Sequence, residues 1–131
     1  MFWTGTGQTI PGYKFYYINN SNYEVVLSTS KTPPNVRILD SVIRIGDTIQ
    51  FLDYTINDIN ADPFGAPDSN RSIKILFRDT VNKCLIFKGA VIDRVFDIRS
   101  QESYRPVELD QEFDCYYSIT NNHYSKAGQC N

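Results

Sequence analysis

Asp58, Asn60 and Asp62 carry oxygen-bearing side chains at alternate positions, the spacing with which a loop wraps one hard cation such as calcium. Asp68 could add a further oxygen. The pattern stops short of an EF-hand, because Pro63 stands where that loop needs its turning glycine and Ser69 where it needs a bidentate glutamate. An irregular cation site at Asp58, Asn60 and Asp62 is therefore set against a solvated, turn-rich loop. His123 is the chain's single histidine. Beside Cys115 or Cys130 it could serve as base to a thiolate nucleophile. No third group stands out to orient it, and the reading preferred is a solvent-facing or capping histidine. Phosphate loops, H-E-x-x-H, G-x-S-x-G and paired-cysteine metal signatures do not occur. No catalytic residue is assigned and no cofactor is expected.

Aromatic side chains are the other resource: nine Tyr, eight Phe and one Trp. An exposed tyrosine can meet a sugar or a peptide with an apolar face and a polar edge. Tyr13, Tyr16, Tyr54, Phe64, Tyr104, Tyr116 and Tyr124 are the candidates, and Phe64, Tyr54 and Tyr104 the ligand-binding set. The competing reading is cross-strand packing, the ordinary use of aromatics in a β-protein.

These residues need strands and turns to hold them. Alternation dominates the chain. Residues 13–18 and 23–28 read as two strands forming a hairpin through Asn19, Asn20, Ser21 and Asn22. Pro33 and Pro34 stiffen a connector. Strands follow at 36–39, 42–45 and 48–54, with a turn at Gly46 and Asp47. Residues 72–77 and 84–88 form a second hairpin around a turn at 79–83. Residues 89–99 fit a short helix or an irregular crossing equally. The last strand covers 112–119. Thr120 reads as an N-cap for a helix over 121–127, with Gly128 stopping it in the left-handed conformation.

The segment 57–71 has no period, two prolines and few apolar anchors. It is expected to be the mobile, recognition-competent loop, with Phe64 as an apolar tip and Asp58, Asp62 and Asp68 as polar edges. About eight short strands, one short C-terminal helix and no strand–helix repeat predict an all-β fold. The expected architecture is an antiparallel β-sandwich in a single domain over 1–131, with 1–11 a flexible start.

With a net charge of −2 and basic residues scattered among acidic ones, no basic patch exists for phosphate, which argues against nucleic acid and anionic membrane surfaces. No apolar run is long enough for a transmembrane segment. The first residues hold no basic n-region or apolar h-region, leaving a cytosolic chain or one whose leader was removed. Three cysteines allow at most one internal disulfide. The preferred reading is three thiols, two of them mostly buried, and the alternative is one bridge from Cys115 to Cys130.

Residues 72–87 resemble a β-hairpin of small lipoproteins from Bacteroides and their relatives. It is an apolar strand, an acidic turn containing Lys (Asp79, Lys83) and a second apolar strand. Residues 97–104, ending in Tyr104, are similar to the connecting segment of that group. Residues 116–127 resemble its closing strand and short helix, with Tyr117, Ile119, Thr120, His123, Tyr124 and Ala127 at the matching places. Asn121 and Asn122 replace its usual acidic residues, and 57–71 has no counterpart. The resemblance covers 70–127 and implies an exported protein of the cell envelope, periplasmic or at the cell surface. A lipid anchor would lie upstream of Met1. It implies no activity. Two functions follow: a non-catalytic binding or interaction module for a protein or glycan ligand, or a carboxylate-based hydrolase with its site on the 57–71 loop.

Overall fold

The computed structural model describes residues 12–30, 39–50, 63–64, 72–109 and 112–130. Nine strands are formed among them: β1 (Gly12–Asn20), β2 (Val25–Ser30), β3 (Leu39–Ile43), β4 (Thr48–Ile49), β5 (Ser72–Phe77), β6 (Lys83–Phe87), β7 (Arg105–Leu109), β8 (Glu112–Thr120) and β9 (Gly128–Gln129). One α-helix, α1 (Asn121–Lys126), lies between β8 and β9, and a single 3-10 turn covers Gln101–Ser103 before β7. The strands make a five-stranded sheet in the order β9-β6-β5-β2-β3 and a four-stranded sheet in the order β4-β1-β8-β7. Alternation builds both. In β1, Tyr13, Phe15 and Tyr17 turn inward, and in β5, Ile73, Ile75 and Phe77 do so. The two inner faces meet in one core with Val25, Leu27, Cys115, Tyr117 and Ile119. The fold is the expected two-sheet, mostly antiparallel β-structure with a short C-terminal helix.

One pairing departs from the antiparallel expectation. β1 and β8 run parallel over nine residue pairs, from Gly12 opposite Glu112 to Asn20 opposite Thr120. This pair forms the centre of the four-stranded sheet. Alternation reports which face a residue takes and not the direction of the neighbouring strand.

The first expected hairpin does not form. β1 pairs with β4 and β8, whereas β2 pairs with β3 and β5 in the other sheet. The Asn/Ser stretch is a corner between sheets, and Asn19 holds it. Its fully buried side chain donates from Nδ2 to the carbonyls of Tyr23 (2.8 Å) and Ile43 (2.9 Å). Its Oδ1 accepts from the Ser21 amide (3.0 Å) and hydroxyl (2.7 Å). Gly46 and Asp47 make the second corner, from β3 to β4, with Gly46 at φ +84°, where a side chain would strain the backbone. The two corners are clasped by Asn19 N–H to Asp47 O (2.9 Å) and Gly46 N–H to Asn19 O (2.8 Å).

The second hairpin is formed as expected, β5 and β6 pairing from Ile73–Phe87 to Phe77–Lys83. Thr120 caps α1, accepting from the Asn122 amide (3.2 Å). Gly128 does not end the helix in the left-handed conformation. Ala127 is the extended C-cap, and Gly128 begins β9 beside Cys84. The cysteine expectations are corrected too: Cys84 and Cys130 are bridged, and Cys115 is free and buried. The ladder that sets Gly128 against Cys84 brings Cys130 within reach, whereas Cys115 lies on β8 in the opposite sheet.

Candidate functional site

Residues 89–99, for which the sequence allowed a short helix or an irregular crossing, form the crossing, a series of turns between β6 and β7. Buried bonds hold it. Arg99 and Asp97 are both buried, and Asp97 accepts from the Arg99 amide (2.9 Å), Nε (3.0 Å) and Nη2 (2.7 Å). The remaining Arg99 nitrogen, Nη1, donates to the Gly89 carbonyl (2.8 Å), tying the start of the crossing to its end. The Ser103 hydroxyl donates to the Asp97 carbonyl at 2.6 Å. Tyr104 donates to the Ile98 carbonyl (2.7 Å) and so accepts from the Tyr17 hydroxyl (2.7 Å).

A second line of bonds reaches the same segment from β8 and α1. Tyr117 donates to the Phe96 carbonyl (2.6 Å). His123 Nδ1 accepts the Thr120 amide (3.0 Å), so the ring proton sits on Nε2 and is donated to Tyr117 (2.8 Å). Phe96 stacks on His123 with centroids 4.5 Å apart, and Lys126 Nζ lies over the Phe96 ring, 4.9 Å from its centroid. Burial, with Lys126 nearby, lowers the His123 pKa to about 4. Burial likewise pushes the Tyr117 phenol well above its ordinary value, reinforced by Asp97. Both groups are neutral scaffold members at neutral pH.

This scaffold displays apolar side chains to solvent. Ile92 is 94% exposed and Val95 74%, and Ile86 on β6 is also exposed. Between Ile86 and Ile92 lies a cleft of about 180 Å³, lined also by Phe87, Lys88 and, from the crossing, Asp93 and Phe96 among others. Small-molecule pockets usually hold roughly 300–1,000 Å³, so this space suits a side chain or two of a larger partner. The cleft also touches two carboxylates, Asp93 and Asp97. Asp97 is engaged by Arg99, and Asp93 accepts the Val95 amide (3.2 Å), so both serve the loop's own structure.

The residues expected from sequence stand elsewhere. Phe64 is 2% exposed and faces Tyr17 in the core, with centroids 6.2 Å apart. Tyr104 is 6% exposed, edge-on to Phe15 and Tyr17. Neither is an exposed ligand-binding aromatic: an aromatic ring is worth more to a core than to a loop tip, since burying it removes a large apolar area from water. Phe64 and Pro63 are the described residues of 57–71, and both are buried. Tyr54, Asp58, Asn60, Asp62 and Asp68 lie outside the described residues. Among the described residues, no group of three or more His, Cys, Asp or Glu is placed to hold a metal ion.

The remaining aromatics pair with one another. Tyr13 stacks on Phe113, and Tyr16 on Tyr116 across the parallel ladder. Tyr124 stacks on Tyr23 and donates to Asp79, fastening α1 to the β5–β6 turn. His123 is a capping residue as expected, its ring standing in for the usual Glu or Gln of a capping box, but it is buried rather than solvent-facing. A thiolate–imidazole pair is not available to it: Cys130 is in the disulfide, and burial pushes the Cys115 thiol up to about 11.

Sequence reasoning did not single out Ile86, Ile92 or Val95. The usable signal was a segment rich in apolar residues that fits no period, since such residues cannot all find one buried face. Compared with protein-family models, curated proteins and solved structures, the chain matches none.

Proposed function

We propose that the chain is a non-catalytic interaction module of the cell envelope that binds another protein through the 89–99 crossing and the cleft beside it. The observation that carries this reading is the pairing of exposed Ile92 and Val95 with a backbone held by buried bonds at Asp97, Ile98 and Arg99 and half-buried ones at Gly89 and Ser103. Apolar side chains held out to water on an ordered loop give a partner contact area without a large ordering cost on binding. The Cys84–Cys130 bridge supports placement in an oxidising compartment outside the cytosol. A lipid anchor upstream of Met1 would keep the module at the envelope. Among the described residues, no helix is long and apolar enough to cross a membrane.

The test is selection of displayed peptides against the intact chain, with a glycan array in parallel. Selected peptides should bind the Ile92→Ser, Val95→Ser double variant at least tenfold more weakly than the parent. Binders indifferent to both substitutions, or a glycan bound equally by parent and variant, would overturn the reading.

A further inference from the structure

Phe96 joins two parts of the molecule. On one side it lines the cleft, its ring centroid 5.9 Å from that of Phe87. On the other it stacks on His123, and its carbonyl accepts the Tyr117 hydroxyl. His123 donates from Nε2 to Tyr117, so one imidazole holds Phe96 by its ring directly and by its backbone through Tyr117. The Thr120 amide, 3.0 Å from Nδ1, needs that nitrogen without a proton. A wall of the cleft therefore rests on the protonation state of the chain's single histidine.

A second proton fits this slot poorly. It would go to Nδ1, and two N–H donors would then oppose each other across a distance that suits a donor and an acceptor. The Thr120 hydroxyl, 3.1 Å from Nδ1, could take that proton, but the Thr120 amide would still lose its acceptor. Lys126, on the same helix, holds its ammonium over the Phe96 ring and opposes a second cation beside it. Asp93 and Asp97 of the crossing bear on the Tyr117 phenol, and Asp97 is already engaged by Arg99. Lys83 of β6, which also packs against α1, lies over the Tyr124 ring. The helix can stay in place when the His123 ring leaves. Tyr124 stacks on Tyr23 and donates to Asp79, and the Cys84–Cys130 bridge holds the chain that follows.

We propose that protonation of His123 expels its ring from the stack on Phe96 and lets the 89–99 crossing open, so that acid weakens binding at the cleft while the two sheets stay folded. The device has two states, ring seated and ring out, and the proton biases them by binding the second more tightly. The seated ring titrates at about 4 and an exposed one at about 6.5, so the open form gains as pH falls through that window and gains nothing above it. From pH 7 to 4.5 these values multiply the open form, relative to the seated one, by about fifty. A seated form favoured about twentyfold at pH 7 is then outnumbered at pH 4.5. Local opening costs less than unfolding, because it breaks the contacts of one ring and leaves the β1–β8 ladder and the core intact. The proposal rests on the interaction-module reading and adds the regulation of that site.

Native-state hydrogen exchange, with intrinsic rates divided out, reads the opening directly. The amides of Phe96, Asp97 and Ser100 are bonded within the crossing. They should exchange through an opening that dilute urea barely promotes, with a constant that rises about fiftyfold from pH 7 to 4.5. In His123→Gln the cap keeps one of its usual residues and the titration is gone, so the rise should be less than about threefold. The parent needs no substitution for a second measurement: its one imidazole resonance should titrate below 6.5, in step with the crossing amides. Displayed peptides without Asp, Glu or His that depend on Ile92 and Val95 at pH 7.5 should bind the parent at least about threefold more weakly at pH 4.5. They should bind His123→Gln equally at both. Crossing amides with the opening constant and urea dependence of the β1 and β8 amides would mean that the proton acts only through global unfolding, which overturns the switch. An equal rise in His123→Gln overturns it too, as does a ring titrating at 6.5 with the crossing amides unmoved, or peptides held equally by the parent at both pH values. If no peptide depends on Ile92 and Val95, the interaction-module reading falls, and the exchange data alone decide the switch.

Discussion

The amide of Thr120 points at Nδ1 of His123 from 3.0 Å, so the residue that caps α1 also decides which nitrogen of the imidazole carries the proton. With Nδ1 an acceptor, Nε2–H is free to serve Tyr117, and Tyr117 in turn serves Phe96. A cap of a six-residue helix thereby becomes part of the support of the 89–99 crossing.

This arrangement has a pH dependence with a defined sign. His123 titrates at about 4 in the fold because burial disfavours the imidazolium, against about 6.5 in the unfolded chain. Between those values the unfolded chain binds more protons, so stability is full above pH 6.5 and falls as pH drops toward 4. The loss over that window is about 3 kcal/mol, since each tenfold difference in proton affinity between the two states is worth roughly 1.4 kcal/mol. Urea titrations from pH 7.5 to 4 measure it. His123→Gln should be less stable at pH 7 and show a flatter profile between pH 6.5 and 4; an unchanged profile would contradict the assignment.

The Cys84–Cys130 bridge closes a loop with a sequence separation of 46 residues. Loop-closure entropy puts its contribution at about 4 kcal/mol. Cys84→Ser with Cys130→Ser should lower the urea midpoint accordingly, and the amides of β9 should lose exchange protection first. Thiol labelling of the native, oxidised chain should leave Cys115 unmodified, because it is buried and its thiol is held protonated. Labelling in urea should add one equivalent.

Asn19 tests the corner between the sheets. Asn19→Ala removes four side-chain bonds at the corner, leaving the Tyr23 carbonyl only its bond from the Ser21 hydroxyl, at a cost of about 2–4 kcal/mol from roughly 1 kcal/mol per bond. Asn19→Asp keeps the acceptor but loses both donated bonds, and at neutral pH it brings a carboxylate against the Tyr23 and Ile43 carbonyls. It should be at least as damaging at pH 7. Thermal melts of both variants decide the point, and a shift within error for Asn19→Asp would mean that the corner is held by its backbone bonds.

Arg99→Met should cost about 3–5 kcal/mol, since it leaves the Asp97 carboxylate buried without its partner. Combining it with Asp97→Asn should cost less than the sum of the two single changes, a coupling that a double-mutant cycle reads directly. Peptide binding at the cleft should fall in the single variant, because Arg99 also anchors Gly89 at the start of the crossing.

Alternation along 13–18, 72–77, 84–88 and 112–119 was enough to predict strands, their inward faces and the all-β class, because side-chain direction repeats every two residues whatever the strand pairs with. Thr120 as N-cap and the turn after Phe77 were legible for the same reason: their chemistry is local. The partner of each strand was not. Asn19, Asn20, Ser21 and Asn22 have the composition of a hairpin turn, yet the inner faces of β1 and β2 belong to opposite walls of the core, and the Asn19 side chain satisfies the corner that separates them. The Cys84–Cys130 bridge required the β9–β6 register, and the burial of Phe64 and Tyr104 required the core they complete. The cleft is wholly a tertiary product. It forms where a segment without period is pinned over the end of β6, and that pinning is not written in the spacing of any one stretch of chain.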